Sequence, residues 1–498
     1  MTTSFELDTL KIRLNEAELQ PLDLHQRIQR ALRALILDGV LGSGVKLPAT
    51  RALSKSLGIA RDTVENAYLQ LHRDGFIVRR AGSGSYVSKT IGSELRGAAH
   101  RHAKRQLRTG TVLEQEGLSR RGRKILDSGG VVDSRIIKPF ATGLPETLAF
   151  QTAVWERLQR KVLKEHRAQA LLHGDPQGAE PLRRAIATYL NLERGAKATP
   201  EQILVLSSTR QALFLCAQLL ADAGKPILLE NPGYFGAKKA FEAAEARVVP
   251  IDVDTHGIRT DLLRADHSGA HCVYVTPSHQ YPTGATLSLE RRLDLILWAQ
   301  EHIKWIIEDD YDSEFHYEGL PTACVQGLDK HQRTIYLGTF SKTLYPGLRM
   351  GYMVLPPALV TAFTRARSIM DGHTPQIPQL TLARFMEDGH YNAHIRVMRK
   401  LYASRRSVLL ESIDKYLSGI VTALQPQGGL QIPCLLEPGW SEEKTIRQAA
   451  MAGIQLLGLS QLYAGEAKEQ GWLLGYSALN AHEIESAVLR LAKALKKK

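Results

Sequence analysis

Residues 334–349 read Thr334-Ile-Tyr-Leu-Gly-Thr-Phe-Ser-Lys342-Thr-Leu-Tyr-Pro-Gly-Leu-Arg349. Thr334–Leu337 is a short apolar run of strand type, and glycine and hydroxyl residues follow it. Lys342 therefore sits in a turn at a strand end, among apolar and hydroxyl side chains. A lysine so placed loses its proton more easily and can attack an aldehyde. Arg349, seven residues on, has the planar fork that grips a phosphate through two parallel hydrogen bonds. A lysine in a turn is unremarkable alone, so its neighbours decide the reading.

Upstream runs Trp305-Ile-Ile-Glu308-Asp309-Asp310-Tyr311. A strand at 303–307 delivers Asp309 and Tyr311 at its carboxyl end, where ligands of open α/β sheets bind. A carboxylate there keeps a pyridine nitrogen protonated, and the Tyr311 hydroxyl can bond a ring hydroxyl. The plainer alternative is a solvated acidic turn. Further upstream, the strand Ile203–Leu206 leads into Ser207-Ser208-Thr209, which opens a helix. Backbone N–H groups and hydroxyls at a helix start hold phosphate well, although Ser208 and Thr209 also suit simple capping. Tyr234, in Asn231-Pro-Gly-Tyr234, either stacks on a ring or belongs to the core. Lysine, carboxylate, phosphate cradle and arginine together are the parts of a pyridoxal 5′-phosphate (PLP) pocket.

The strands around this pocket alternate with helices. Ile203–Leu206, Pro226–Leu229, His271–Thr276, Ile303–Ile307 and Thr334–Leu337 are apolar runs, and Gln211–Ala221 and Leu289–Glu301 have helical spacing. That order predicts a doubly wound, mostly parallel sheet from about residue 136. A long helical stretch from about residue 390, short strands and a last helix at 482–496 predict a smaller α+β part.

The chain begins differently. Residues 22–39, 50–57 and 61–74 have helical periodicity, the first two closing at Gly39 and Gly58. Residues 76–87 form two apolar strands around Gly82-Ser83-Gly84. Three helices and a wing make a winged helix-turn-helix. Its third helix would present Arg61, Asp62, Thr63 and Glu65 to the major groove. Arg51 on the second helix is placed for the DNA backbone, and Gly82 and Ser83 at the wing tip allow close approach to a groove. Residues 1–135 hold 23 Lys+Arg against 14 Asp+Glu, so most of the net +13 lies there. Such a balance suits a polyanionic partner. The expected organisation is a winged helix-turn-helix domain at 1–88, a basic flexible linker at 89–135 and a PLP-binding domain at 136–498.

The four cysteines, Cys216, Cys272, Cys324 and Cys434, include no C-x-x-C pair and lie in apolar surroundings, as buried thiols of a reducing cytosol do. No signal-peptide pattern or membrane-spanning apolar run is present, and a cytoplasmic protein with no membrane partner is expected. No metal site is expected.

Leu22–Val87 resembles the winged-helix domain of the GntR family. The residues that carry this are Leu47-Pro-Ala-Thr-Arg51-Ala-Leu53, Leu57-Gly58, Arg61-Asp-Thr-Val64, Gly75-Phe76 and Gly82-Ser-Gly-Ser-Tyr-Val87. The serine the family often has before the third helix is Ala60 here, which removes a cap worth about 1 kcal/mol at most. Residues 140–495 resemble fold-type I aminotransferases, and within them the aminotransferase-like domain of MocR-type regulators. Gly174-Asp-Pro-Gln-Gly178, Asn231-Pro-Gly-Tyr234, Thr276-Pro-Ser-His-Gln-Tyr-Pro-Thr-Gly284, Glu308–Phe315 and Gly338–Tyr352 carry this likeness.

The resemblance implies an internal aldimine at Lys342, Asp309 at the pyridine nitrogen and Tyr311 at the ring hydroxyl. It also implies Thr339, Ser341 and Arg349 near phosphate, and a head-to-tail homodimer in which each DNA domain packs on the partner's large domain. One departure bears on the effector. Where effector-binding relatives have an arginine in a Leu-Ser-Arg-x-Tyr pattern, this chain has Leu459-Ser-Gln461-Leu-Tyr463. Gln461 donates a hydrogen bond but cannot neutralise a carboxylate. Either another arginine takes over, or the effector is PLP itself or another amine. The expected function is DNA-binding transcriptional regulation through PLP or an amine effector, without turnover. The alternative is a working aminotransferase with a DNA-binding appendage.

Overall fold

A computed structural model describes residues 5–89, 117–131, 136–263, 269–317 and 322–496. The chain divides into two compact units, Met1–Leu118 and Ser119–Lys498.

Among the described residues, the first unit has four helices, α1 (Leu7–Leu14), α2 (Leu24–Leu37), α3 (Thr50–Leu57) and α4 (Arg61–Arg73). A hairpin follows, of β1 (Ile77–Arg80) and β2 (Gly84–Val87). Ile28, Ala31, Leu32, Leu35 and Ile36 lie buried along one stripe of α2. They pack on Leu53 of α3 and on Val64, Ala67, Tyr68 and Leu71 of α4. The α1 helix has no counterpart in the sequence reading, and its Leu10 and Leu14 complete this core. Gly58 closes α3 at φ 69°, a left-handed turn that costs glycine nothing. As the Ala60 departure implied, no side chain caps α4. The hairpin also gains a third edge beyond the two expected strands. Leu47 N donates to Ser85 O at 2.9 Å, and Val87 N to Val45 O at 2.9 Å.

The arginine cluster Arg101–Arg108 lies outside the described residues. Within the basic stretch at 89–135, a helix at Arg120–Asp127 belongs to the second unit. Ser119 caps it, and Arg120 and Arg121 reach Glu245 at 2.9 and 3.3 Å.

The second unit is built on an eight-stranded sheet in the order β3-β10-β9-β8-β7-β4-β5-β6. The strands are β3 (Ile203–Leu206), β4 (Pro226–Asn231), β5 (Arg247–Asp254), β6 (Gly257–Ile258), β7 (Cys272–Val275), β8 (Trp305–Asp310), β9 (Thr334–Thr339) and β10 (Gly351–Val354). β5, β4, β7, β8 and β9 run parallel, while β10 lies antiparallel between β3 and β9. Every residue of β3, β7, β9 and β10 is buried, as in strands covered on both faces. β11 (Val421–Ala423), β12 (Gln431–Leu436), β13 (Leu457–Gly458) and β14 (Gly471–Gly475) form a second, antiparallel sheet. It is flanked by the long helix His390–Tyr416 and the last helix Ala481–Lys496.

One strand is displaced from expectation. The run expected at 303–307 is observed as Trp305–Asp310, so Glu308, Asp309 and Asp310 lie inside the strand and are buried. The ladder continues because two of these carboxylates find buried partners. Glu308 accepts from Val325 N at 2.8 Å and Gln326 N at 2.9 Å. Asp310 accepts from Arg194 at 2.9 Å and from Tyr336 at 2.5 Å.

Candidate functional site

The carboxyl ends of β8 and β9 bring the central residues together. β9 ends at Thr339, whose hydroxyl accepts from Ser341 N at 3.1 Å. The next residue, Lys342, folds its side chain back so that Nζ donates to Gly143 O at 2.6 Å. Gly143 has φ 75°, and a Cβ there would lie 2.7 Å from Lys342 Nζ. Glycine thus gives the lysine its room, and the Thr142–Pro145 segment forms one wall of the site.

Asp309 faces this wall from β8. It is 4% exposed, and its Oδ2 accepts from Tyr274 at 2.8 Å. Oδ1 is buried without a hydrogen-bond partner. Burial pushes this carboxyl up to about 7, opposed by the Tyr274 hydrogen bond and by the positive charge of Lys342. A buried acceptor facing a cation is a place for a protonated ring nitrogen.

Tyr311, Tyr281 and Tyr234 form a chain of edge-to-face rings, with centroids 6.2 and 5.6 Å apart. Arg210 Nε donates to the Tyr234 hydroxyl at 3.3 Å. Arg210 belongs to the first turn of the helix Thr209–Leu220. A Cβ on Gly351 would lie 3.5 Å from Thr209 N and 3.0 Å from Gly338 O. The helix start therefore lies beside the strand ends that carry Thr339 and Arg349. Ser208 also caps the helix, accepting from Gln211 N at 3.3 Å. Arg349 is exposed and has a left-handed φ of 50°.

Gln461 is not brought to this cluster. Its segment joins the Tyr234 turn, since Gly233 N donates to Leu462 O at 3.0 Å and Ala464 N to Asn231 Oδ1 at 2.8 Å. Leu459 and Leu462 are buried beside Tyr281, Phe235 and Leu473, whereas Gln461 is exposed. The segment is a 3-10 turn, Leu459–Leu462, in which the two leucines lie one turn apart on the buried side and Gln461 lies off it.

Sequence reasoning missed Gly143, Tyr274 and Arg210. It also missed a clamp behind Gly143. Glu146 accepts from Arg405 at 2.7 Å, and Glu146 N donates to the Tyr402 hydroxyl at 2.8 Å. Ser477 donates to Leu144 O at 2.5 Å. The long helix thereby holds the segment that faces Lys342. Glu146→Gln keeps an acceptor but leaves the Arg405 cation without its counter-charge. It is expected to cost about 2 kcal/mol. An unchanged urea midpoint would refute the clamp.

Burial also pushes Glu230, Glu308 and Glu314 from 4.5 up to about 7. With Asp309, four carboxyls share this direction, three of them buried and Glu314 half-buried. Each holds a proton in the folded chain that the unfolded chain has already released. Their contribution to stability is therefore greatest below the unfolded values and declines toward the folded ones. Thermal melts of the cofactor-free chain should show Tm falling from about pH 4.5 to about pH 7. A Tm that rises across this window would contradict the burial argument.

In the first unit, Arg51 and Arg61 are exposed at the starts of α3 and α4, with Thr63 half-buried on α4. Gly82 and Ser83 are exposed at the hairpin tip. Glu65 differs from expectation. Arg79 of β1 holds it at 2.7 Å, so it braces the hairpin against α4 instead of standing open to base edges.

Comparison with known proteins agrees with both halves. Residues 24–87 match the family of bacterial regulatory proteins, gntR family, and residues 139–468 match aminotransferase class I and II. The chain is 33% identical over 482 residues to the probable rhizopine catabolism regulatory protein MocR of Rhizobium meliloti, covering 95% of this chain and 93% of that one. It is 28% identical over 490 residues to the pyridoxine biosynthesis transcriptional regulator PdxR of Corynebacterium glutamicum, covering 98% and 99%. Among solved structures, the multiple substrate aminotransferase of Thermococcus profundus matches with TM-score 0.69 and 28% identity, over 76% of this chain and 97% of that one. The α-aminoadipate aminotransferase LysN of Thermus thermophilus, complexed with N-(5′-phosphopyridoxyl)-L-leucine, matches with TM-score 0.67 and 27% identity, over 78% and 97%.

Proposed function

Because the chain belongs to the MocR-type regulators, which join a GntR helix-turn-helix to a PLP-dependent aminotransferase fold, we propose that it is a transcriptional regulator that senses PLP, or an amine through PLP, at Lys342. The observation that carries this reading is the buried Asp309 Oδ1 without a hydrogen-bond partner, on a carboxyl that feels the positive charge of Lys342, in one chain with exposed Arg51 and Arg61. When bound, PLP supplies an aldehyde for covalent attachment and a ring that withdraws electrons.

The chain's own residues then have distinct tasks. Lys342 Nζ offers the attacking amine, and Gly143 O orients it. Asp309 holds the proton on the ring nitrogen, and Tyr274 fixes the carboxylate's angle. Tyr311 bonds the ring hydroxyl, and Tyr234 bounds the ring's surroundings. Ser208, Thr209, Thr339, Ser341 and Arg349 receive the phosphate, with the helix start at Thr209 adding backbone N–H groups. Arg51, Arg61, Thr63, Gly82 and Ser83 meet DNA.

The proposed assembly is a head-to-tail homodimer carrying two readers, so its operator has two half-sites. Occupancy of the pocket changes DNA affinity only in so far as PLP or the amine binds two arrangements of the dimer unequally. Among the described residues no helix is long and apolar enough to cross a membrane.

Gel shift on the DNA upstream of the chain's own gene tests the regulator reading. Retarded DNA is expected, and no binding with or without PLP would sink it. The second reading, a working aminotransferase, is favoured by the likeness to aminotransferases at 27–28% identity. Steady conversion of an amino acid and a keto acid by the purified chain would support it.

A further inference from the structure

The helix Thr209–Leu220 starts on the pattern Ser208-Thr-Arg-Gln211, a serine cap with a glutamine three residues on. Such a pair ordinarily closes a capping box, in which the glutamine side chain turns back to the backbone N–H of the serine. Only half of that box is present. Ser208 Oγ accepts from Gln211 N at 3.3 Å. The Gln211 carboxamide, however, passes over Ser208 and reaches Ser207. Its Oε1 accepts from Ser207 N and from Ser207 Oγ, each at 2.9 Å.

The other end of the carboxamide is engaged as well. Nε2 donates to Asp371 Oδ2 at 3.0 Å, 160 positions away in the chain. These partners decide which way the amide points. A backbone N–H only donates and an ionised carboxylate only accepts, so the oxygen faces the turn and the nitrogen faces the aspartate. Asp371 is itself held. It ends the helix Pro357–Asp371 and pairs with Arg367 one turn back, which is fully buried. Arg367 Nη2 donates to Thr374 Oγ1 at 3.0 Å, and Thr374 Oγ1 donates to Val205 O at 3.4 Å. Val205 lies in β3, just before Ser207. The contacts therefore close a ring that leaves β3 through its own turn, crosses to the end of another helix and returns to β3.

This turn is the one that receives the phosphate in the reading above. From the ring of contacts we propose that Gln211 is a positioning residue for that phosphate. It ties Ser207 back and leaves the backbone N–H groups of Ser208 and Thr209 to the anion, at a helix start where the peptide dipoles favour negative charge. Asp371, Arg367 and Thr374 keep the carboxamide in place. The aldehyde and the ring nitrogen fall to Lys342 and Asp309, at the ends of β9 and β8, so the task of Gln211 concerns the phosphate alone. The inference rests on the PLP reading and adds what shapes its phosphate seat.

The test compares PLP with pyridoxal, which keeps the aldehyde and the ring nitrogen but lacks the phosphate. Absorbance titration of the full-length chain gives both affinities. Gln211→Met keeps the length and helix propensity of the side chain and loses both hydrogen-bonding ends. It should weaken PLP binding about tenfold, the size of one or two hydrogen bonds, and leave pyridoxal binding as it was. Asp371→Ala removes the anchor without touching the turn, at a side chain that is 44% exposed. It should give the same selective loss, at about threefold.

Equal losses for PLP and pyridoxal overturn the inference, because Gln211 then supports the pocket as a whole. An unchanged PLP affinity in Gln211→Met overturns it too. Thermal unfolding separates binding from folding. If Gln211→Met does not fold, Asp371→Ala decides by the same comparison, and if neither folds, the ring is a brace of the fold and the inference fails. If the unaltered chain binds PLP no more tightly than pyridoxal, the phosphate seat of the PLP reading fails and this inference with it.

Discussion

Lys342→Ala is expected to abolish covalent retention of PLP while leaving the fold intact. The side chain is half-buried at a well-packed strand end and its Nζ donates to Gly143 O, so truncation removes no core volume. Incubation with PLP, borohydride treatment and desalting should leave the unaltered chain carrying a reduced phosphopyridoxyl group on Lys342, detectable by mass. The variant should carry none there. A label of equal extent on another lysine in both proteins would overturn the assignment.

Asp309→Ala should weaken PLP binding by roughly 10²–10⁴-fold, the cost of leaving a buried charge without its partner at about 3–5 kcal/mol. Tyr274 would lose its acceptor at the same time. Asp309→Asn separates the two effects, because the amide still accepts from Tyr274 but carries no charge. Its affinity should resemble that of the alanine variant more than that of the unaltered chain. Titration of PLP followed by absorbance gives both constants. An asparagine variant that binds as tightly as the unaltered chain would show that Asp309 is a structural acid.

The legible parts of the fold are those written locally. Helical stripes such as Ile28, Leu32, Leu35 and Ile36 state their own burial, and the apolar runs of β3, β7 and the middle of β9 announce a sheet covered on both faces. β10 and β5 are not legible in this way. β10 is only four residues long and starts at Gly351, and β5 is half-exposed and interrupted by Pro250, so neither has a clear period. The end of β8 escapes pattern because three consecutive acids look like a solvated turn. Only Arg194, Tyr336 and the Val325–Gln326 backbone, all distant in sequence, let two of those acids stay buried.

The site divides the same way. Lys342, Asp309 and Tyr311 stand next to strand ends and can be found from pattern. Gly143, Glu146 and Arg405 cannot, because the segment that carries Gly143 has no periodicity and its partners lie 199 to 259 positions away in the chain. Likeness of a short motif points Gln461 toward an effector, while in the 3-10 turn Leu459–Leu462 the two leucines are buried and Gln461 is exposed. Position on α4 points Glu65 toward DNA, and the reach of Arg79 across to it decides its role.

We propose that the state of Lys342 is reported to DNA. Fluorescence anisotropy on the upstream fragment, at one fixed salt concentration, measures it directly for the unaltered chain and for Lys342→Ala, each with and without PLP. PLP is expected to change the affinity of the unaltered chain, about 5–150-fold if the coupling is of ordinary size, and to leave the variant's affinity unmoved. Equal affinities of the unaltered chain with and without PLP, or an equal PLP effect on the variant, would contradict it.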